Sequence, residues 1–333
     1  MHAQGKKWLL CLARILLVGG LLVGISVPVA AQTVIKLGLT APVDTPEGLA
    51  AKEFGRILAE RTKGAVRVDV MGGGTAGGER EIAEGLQIGT MHMAVLGGIF
   101  QNFDPAMMIL EWDLLFKSDD HVKAVMYGPI GERIKKRMQD KVGVRMLSVL
   151  MRTPRILTTG KPVNGLDDLK GMKVRVPEMP ARVALWRALG ARPTPMAWPE
   201  VLTGLTVGTI DGQENPAALI YQSKIYEAVK NLALTNHLYG FMMIVAAERF
   251  LAQLPAETRV VVQQSALDAA RWNDEYVKKS ETELMDKLGK AMKVTRPEMS
   301  PWRAATQDVY KQFSGTEGFV DLYQAIVEEG KKF

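Results

Sequence analysis

Gly171-Met172-Lys173-Val174-Arg175-Val176-Pro177 sets an arginine at the centre of a short apolar run. Lys173 to Val176 reads as a strand, and Met179 to Leu189 behind it reads as a helix. An arginine inside a strand is costly to bury unless an anion meets it. The only acidic residue nearby in sequence is Glu178. The missing anion is therefore expected from outside, as the carboxylate of a ligand.

The strand–helix step around Arg175 recurs along the chain, which is an α/β pattern. Val34 to Leu39, Val66 to Met71, Met91 to Leu96 and Val144 to Val149 read as strands. Helices are expected from Pro46 to about Lys63, Glu79 to Ile88 and His121 to Gln139, with Pro46 in the favoured first turn. In the second half Pro193 to Met196 is extended, Pro199 to Val207 and Ala217 to Tyr221 are helical, and Leu232 to Asn236 and Met242 to Ala246 are strands. From Ala256 to about Met292 the pattern is helical, with no proline and one glycine. Such a helix far exceeds the ordinary length of about 11–12 residues and can brace two lobes. Helices at Pro301 to Phe313 and Val320 to Glu329 end the chain.

The first residues carry Lys6 and Lys7, then an apolar run from Trp8 to Val27 broken by Arg14, then Val29-Ala30-Ala31. This is the order of a secretory signal peptide, with cleavage expected after Ala31. Arg14 leaves the continuous run short of the roughly 18 residues that a spanning helix prefers. Loss of residues 1–31 leaves 302 of 333 residues, enough for about two domains, and lowers the net charge from +6 to +3. So small an excess, without a dense basic block, argues against a nucleic-acid binder. Cys11, the only cysteine, leaves with the signal, so no disulfide, thiol nucleophile or cysteine-held metal is expected. The compartment indicated is the periplasm.

Gly72-Gly73-Gly74-Thr75-Ala76-Gly77 contains the glycine spacing of a dinucleotide loop, the main sign of a rival function as an exported nucleotide-cofactor oxidoreductase. It follows the second strand and not the first, and Val95-Leu96-Gly97-Gly98 stands where the ribose-binding acid belongs. No Walker loop, no H-E-x-x-H pair and no G-x-S-x-G elbow occurs, and the histidines are scattered. No nucleophile–base set appears, so catalysis, a cofactor and a metal are not expected. Asn215 closes Asp211-Gly212-Gln213-Glu214-Asn215-Pro216, where turn chemistry and ligand contact are both open. Trp198 suits either the core or the floor of a flat acid.

Several segments together resemble the solute-binding proteins of TRAP (tripartite ATP-independent periplasmic) transporters, of the dicarboxylate and sialic-acid receptor type. They are Gly72 to Gly89, Arg155 with Thr158-Thr159 and Lys161-Pro162, Leu166 to Pro177, Pro193 to Val201 and Thr209 to Pro216. The resemblance implies an α/β, two-lobed periplasmic binding protein fold with mixed sheets, an interlobe ligand cleft and a long C-terminal helix spanning both lobes. The lobes expected are 32–152 plus 241–280, and 153–240 plus 281–333. It implies that Arg175 grips the ligand carboxylate, that Arg155 and Asn215 assist, that Trp198 packs on the ligand and that Thr40 reaches it from the other lobe. A small organic-acid ligand, small and large membrane subunits as partners, and a monomer are implied too. A binding protein serving a sensor would share every one of these segments.

The chain departs from the family pattern in places. Trp112-Asp113-Leu114-Leu115-Phe116 replaces a common Leu-Pro-Phe, and Trp198 a more common Phe. Leu96 and Gly97 stand where many members place polar ligand contacts, and Arg152 is an extra cation beside Arg155. The expectation is a site with Leu96 as an apolar wall and surplus positive charge from Arg152. Such a site suits a dicarboxylate or a partly apolar acid better than a sugar acid.

Overall fold

A computed structural model describes residues 32–333; the expected signal segment and its cleavage after Ala31 lie outside the described residues. The strands in chain order are β1 Thr33–Gly38, β2 Val66–Met71, β3 Met93–Leu96, β4 Val144–Met151, β5 Arg155–Thr159, β6 Lys173–Val176, β7 Arg192–Pro195, β8 Gly212–Asn215, β9 Asn231–Leu238, β10 Phe241–Ala247 and β11 Lys293–Thr295. They form two mixed sheets. The first has the order β2-β1-β3-β10-β4, parallel across β2-β1-β3 and antiparallel where β10 joins β3 and β4. The second has the order β11-β9-β5-β8-β6-β7, in which β5 is antiparallel to both its neighbours.

Burial explains the composition of these strands. β3 and β10 are inner strands and are buried at every position, so they read as unbroken apolar runs. In the second sheet the side chains alternate between two cores, with Ile156 and Leu232 on one side and Leu157 and Ala233 on the other. The α/β class and its mixed sheets thus rest on the same periodicity that the sequence displays.

Two of the chain's passages between the sheets lie side by side. β4 ends at Met151 and β5 begins at Arg155; β9 ends at Leu238 and β10 begins at Phe241. Phe241 pairs with Met151, and Arg155 with Leu238, so two neighbouring ribbons carry the chain across. The helix Ala256–Ala291, 36 residues and about 54 Å long, lies along both sheets. Its buried positions Val262, Ala266, Ala269, Ala270 and Val277 recur at helical spacing, while Leu288 enters a core of the second sheet. Asn273 donates to the carbonyl of Met151 (2.9 Å) and so ties the helix to the crossing.

Three expectations need correction. The helix expected from His121 to Gln139 is two, Asp119–Met126 and Pro129–Arg137, because Pro129 lacks the N–H that would continue the first. The helix expected from Pro301 to Phe313 is an α-helix, Ser300–Thr306, followed by a 3-10 turn, Val309–Phe313. Residues 281–333 also do not stay with the second sheet. Trp302 packs beside Trp186 and Val174 there, but Phe319, Leu322 and Ile326 enter the core of the first sheet. The chain end returns because Phe319–Glu329 carries an apolar face that needs cover. Among the described residues no helix is long and apolar enough to cross a membrane.

Candidate functional site

A cavity lies where the two crossing ribbons meet the ends of β1, β6 and β8. Its walls come from distant segments: Thr40 follows β1, Glu47 and Glu79 sit in the first turns of helices, Glu111 ends a 3-10 helix, and Arg152 and Met242 lie on the crossings. Arg155, Arg175 and Asn215 come from β5, β6 and β8, with Pro177, Trp198 and Leu219 beside them. Ligands of open α/β sheets bind beyond the carboxyl ends of parallel strands, which is where β6 and β8 deliver Arg175 and Asn215.

The three arginines differ in what already satisfies them. Arg155 makes a two-pronged ion pair with Glu214, through Nε to Oε2 and Nη2 to Oε1 (2.9 Å), and Nη2 also donates to the Glu214 carbonyl (2.8 Å). Glu214 is shared further with Arg182 (2.7 Å) and His237 (3.1 Å), and Arg182 also pairs with Asp113. Burial would push the Glu214 carboxyl up, but Arg155 and Arg182 hold it well below the usual range. Arg152 stands 3.1 Å from Glu47. Arg175 is different: it is 4% exposed, its Nε donates to the Met196 carbonyl (2.9 Å), and its guanidinium lies 5.5 Å from the centre of the Trp198 ring. Among the described residues no carboxylate, Glu178 included, comes within ion-pair distance of it. Burial and the nearby Arg155 charge lower its pKa to about 10, still charged at neutral pH. The free side of its planar fork is matched to a carboxylate.

The carboxylates complete the lining. Glu111 is buried, and its Oε2 has no hydrogen-bond partner among the described residues. Burial, then the charge of Glu111, push the Glu79 carboxyl up to about 7 against the pull of Arg175, Arg155 and Arg152. Three glutamates and three arginines therefore share the lining of the cavity. Asn215 donates to Gln213 Oε1 (2.8 Å), and Gln213 donates to Thr158 (2.7 Å), which fixes the Asn215 amide. Among the described residues no His, Asp and Glu side chains are grouped to hold a metal ion.

Residues 37–316 match the family described as bacterial extracellular solute-binding protein, family 7, also named DctP. The chain belongs to this family. A solute-binding protein of Roseobacter denitrificans is 38% identical over 243 residues, 73% of this chain and 75% of that one. The crystal structure of a TRAP periplasmic solute-binding protein from Roseobacter denitrificans with bound L-galactonate superposes with a TM-score of 0.85 at 33% identity, covering 89% of this chain and 98% of that one. Another from Polaromonas sp. JS666, bound to D-erythronate, gives 0.84 at 31% identity, covering 89% and 98%. The two-lobed DctP fold is thereby shown, and DctP proteins are solute-binding components of transport, not enzymes.

Within this DctP chain, Thr40, Arg152, Arg155, Arg175, Trp198 and Asn215 all line the one cavity. Leu96 does not. It is fully buried in the core at the end of β3, opposite Met243 of β10, and the wall there is supplied by Glu111. The expected surplus of positive charge is also absent, because Glu47 stands against Arg152, and Glu79 and Glu111 face the same space. Glu47, Glu79 and Glu111 were not legible as site residues. Each lies on a helical segment far from the arginine motifs; Glu47 and Glu79 stand in first turns, where an acid reads simply as favouring the dipole, and Glu111 ends an apolar run with no local sign of a ligand. The glycine loop is no dinucleotide cradle: a Cβ at Gly74 would stand 3.1 Å from Pro199 Cγ, and one at Gly78 would stand 3.3 Å from Ala197 Cβ. These glycines permit close approach to the segment that carries Trp198.

Proposed function

We propose that the chain is the periplasmic receptor of a TRAP transporter and captures a small hydroxylated monocarboxylate, a sugar acid, between its lobes. The observation that carries this reading is the buried guanidinium of Arg175, which has one backbone acceptor and no carboxylate. The ligand carboxylate fills its fork, Trp198 covers the guanidinium face, and Thr40 and Asn215 flank the bound acid. Arg155 acts chiefly by keeping Glu214 engaged, which holds β5 and β8 in place beside the ligand. A dicarboxylate is disfavoured by the three glutamates, and the relatives with bound L-galactonate and D-erythronate support the sugar-acid class. The lobes proposed are 32–152 with 241–280 and 153–240 with 281 onward, the last helix excepted. The loaded protein, a monomer, delivers its ligand to the small and large membrane subunits of the permease.

Titration calorimetry with aldonates of four to six carbons tests the reading. Binding by the wild-type chain, and its loss in Arg175→Ala with an unchanged fold, is the expected result. Near-native affinity in Arg175→Ala would refute it.

A further inference from the structure

Of the two cavity carboxylates without an ion pair or hydrogen bond among the described residues, Glu79 and Glu111, Glu111 is the more deeply buried. Glu47 has Arg152 at 3.1 Å, and Glu214 is held by Arg155 and Arg182. Glu111 is 4% exposed, takes part in no ion pair among the described residues, and leaves Oε2 without a donor. A buried carboxylate is retained only where something donates to it. The chain also builds room for it. A Cβ on Gly97 would stand 2.5 Å from Glu111 Oε1, and one on Gly98 would stand 2.9 Å from Glu111 Cβ. Two successive glycines after β3 thus admit a carboxylate that any other residue at those places would displace. The acid stands in the wall of the cavity that also holds Arg175 and Glu79.

We infer that Glu111 is a specificity-determining residue: it accepts a hydrogen bond from a hydroxyl of the ligand and excludes acids that would place a second carboxylate there. The inference rests on the sugar-acid reading above and deepens it. A hydroxyl supplies the donor that Oε2 lacks. A carboxylate in the same place supplies none and sets like charges together where water cannot screen them. The mutual effect of Glu79 and Glu111 is consistent with this, since burial and the Glu111 charge already make ionisation of Glu79 harder. A ligand anion added beside them would meet the same field.

The test is calorimetry on the full chain with L-galactonate, the diacid galactarate and the unhydroxylated hexanoate, for wild type, Glu111→Gln and Glu111→Leu. Melting of each ligand-free variant verifies folding. Wild type is expected to bind galactonate and to reject the other two. Glu111→Leu should weaken galactonate about ten- to a hundredfold, the worth of a hydrogen bond to a charged group. Glu111→Gln should narrow the galactonate-to-galactarate ratio at least tenfold, because it keeps an acceptor and removes the charge. Unchanged galactonate affinity in Glu111→Leu, or an unchanged ratio in Glu111→Gln, overturns the assignment while leaving the receptor reading intact. A folded wild type that binds none of these acids overturns this inference, and the receptor reading falls with it only if no aldonate of four to six carbons binds either.

Discussion

At position 175 the fold keeps a guanidinium out of water with one carbonyl and an indole face for company. Such a cation costs stability in the ligand-free protein. Arg175→Met is therefore expected to melt no lower than wild type while its affinity for the acid falls at least thirtyfold; scanning and titration calorimetry read the two separately. Glu214 has the opposite role. Glu214→Gln strips Arg155, Arg182 and His237 of a shared counter-charge and should cost about 3–5 kcal/mol in urea unfolding. Glu79 gives a pH signature. Its folded pKa, about 7, lies above the ordinary 4.5, so the folded state holds the proton more tightly than the unfolded chain. Its contribution is complete below about pH 4.5 and is lost as pH rises through 7. Urea titrations at pH 5 and pH 8 should show Glu79→Gln to be flatter than wild type across that window. Arg175 was legible at this scale because a cation in an apolar strand is a local anomaly. Leu96 misled because its neighbours in sequence do not reveal which side of β3 faces the cavity.

Among the elements, the helix Ala256–Ala291 is the one whose length alone announced its task. What periodicity did not reveal was its partner. Ala266, Ala269 and Ala270 form a small-residue face, and Arg61 of the helix Pro46–Arg61 reaches Ser265 (3.3 Å) and pairs with Asp268. Small residues let the two helices approach closely. Ala269→Leu should overpack that face and cost about 1–3 kcal/mol, measured by denaturant unfolding with unchanged far-ultraviolet circular dichroism. Eight of the strands were legible to within a few residues because β-branched and apolar runs are short and bounded by turns, whereas β5, β8 and β11 were not read as strands, β8 because Asp211-Gly212 and Asn215-Pro216 carry turn chemistry. The run from His121 to Gln139 was not, because its amphipathic pattern continues across Gly128-Pro129 although the backbone ladder stops there.

For the whole molecule, ligand and fold are linked. An acid that binds only the folded protein adds about 2.7 kcal/mol at a hundred times its dissociation constant, so galactonate should raise the melting temperature of wild type by several degrees and that of Arg175→Met by about a third as much or less. The sequence by itself determined the α/β class, the long brace and the buried arginine that lacks a counter-ion. Each of these is written in local periodicity or in one costly residue among apolar neighbours. Only the tertiary structure decided that Glu47, Glu79 and Glu111 line the same cavity as Arg152, Arg155 and Arg175. It also decided that the end of the chain returns to the first sheet. The physical reason is the same in both cases: side-chain periodicity states that a face is buried, whereas the charge or core it is buried against is set by sheet order and by where the ribbons cross.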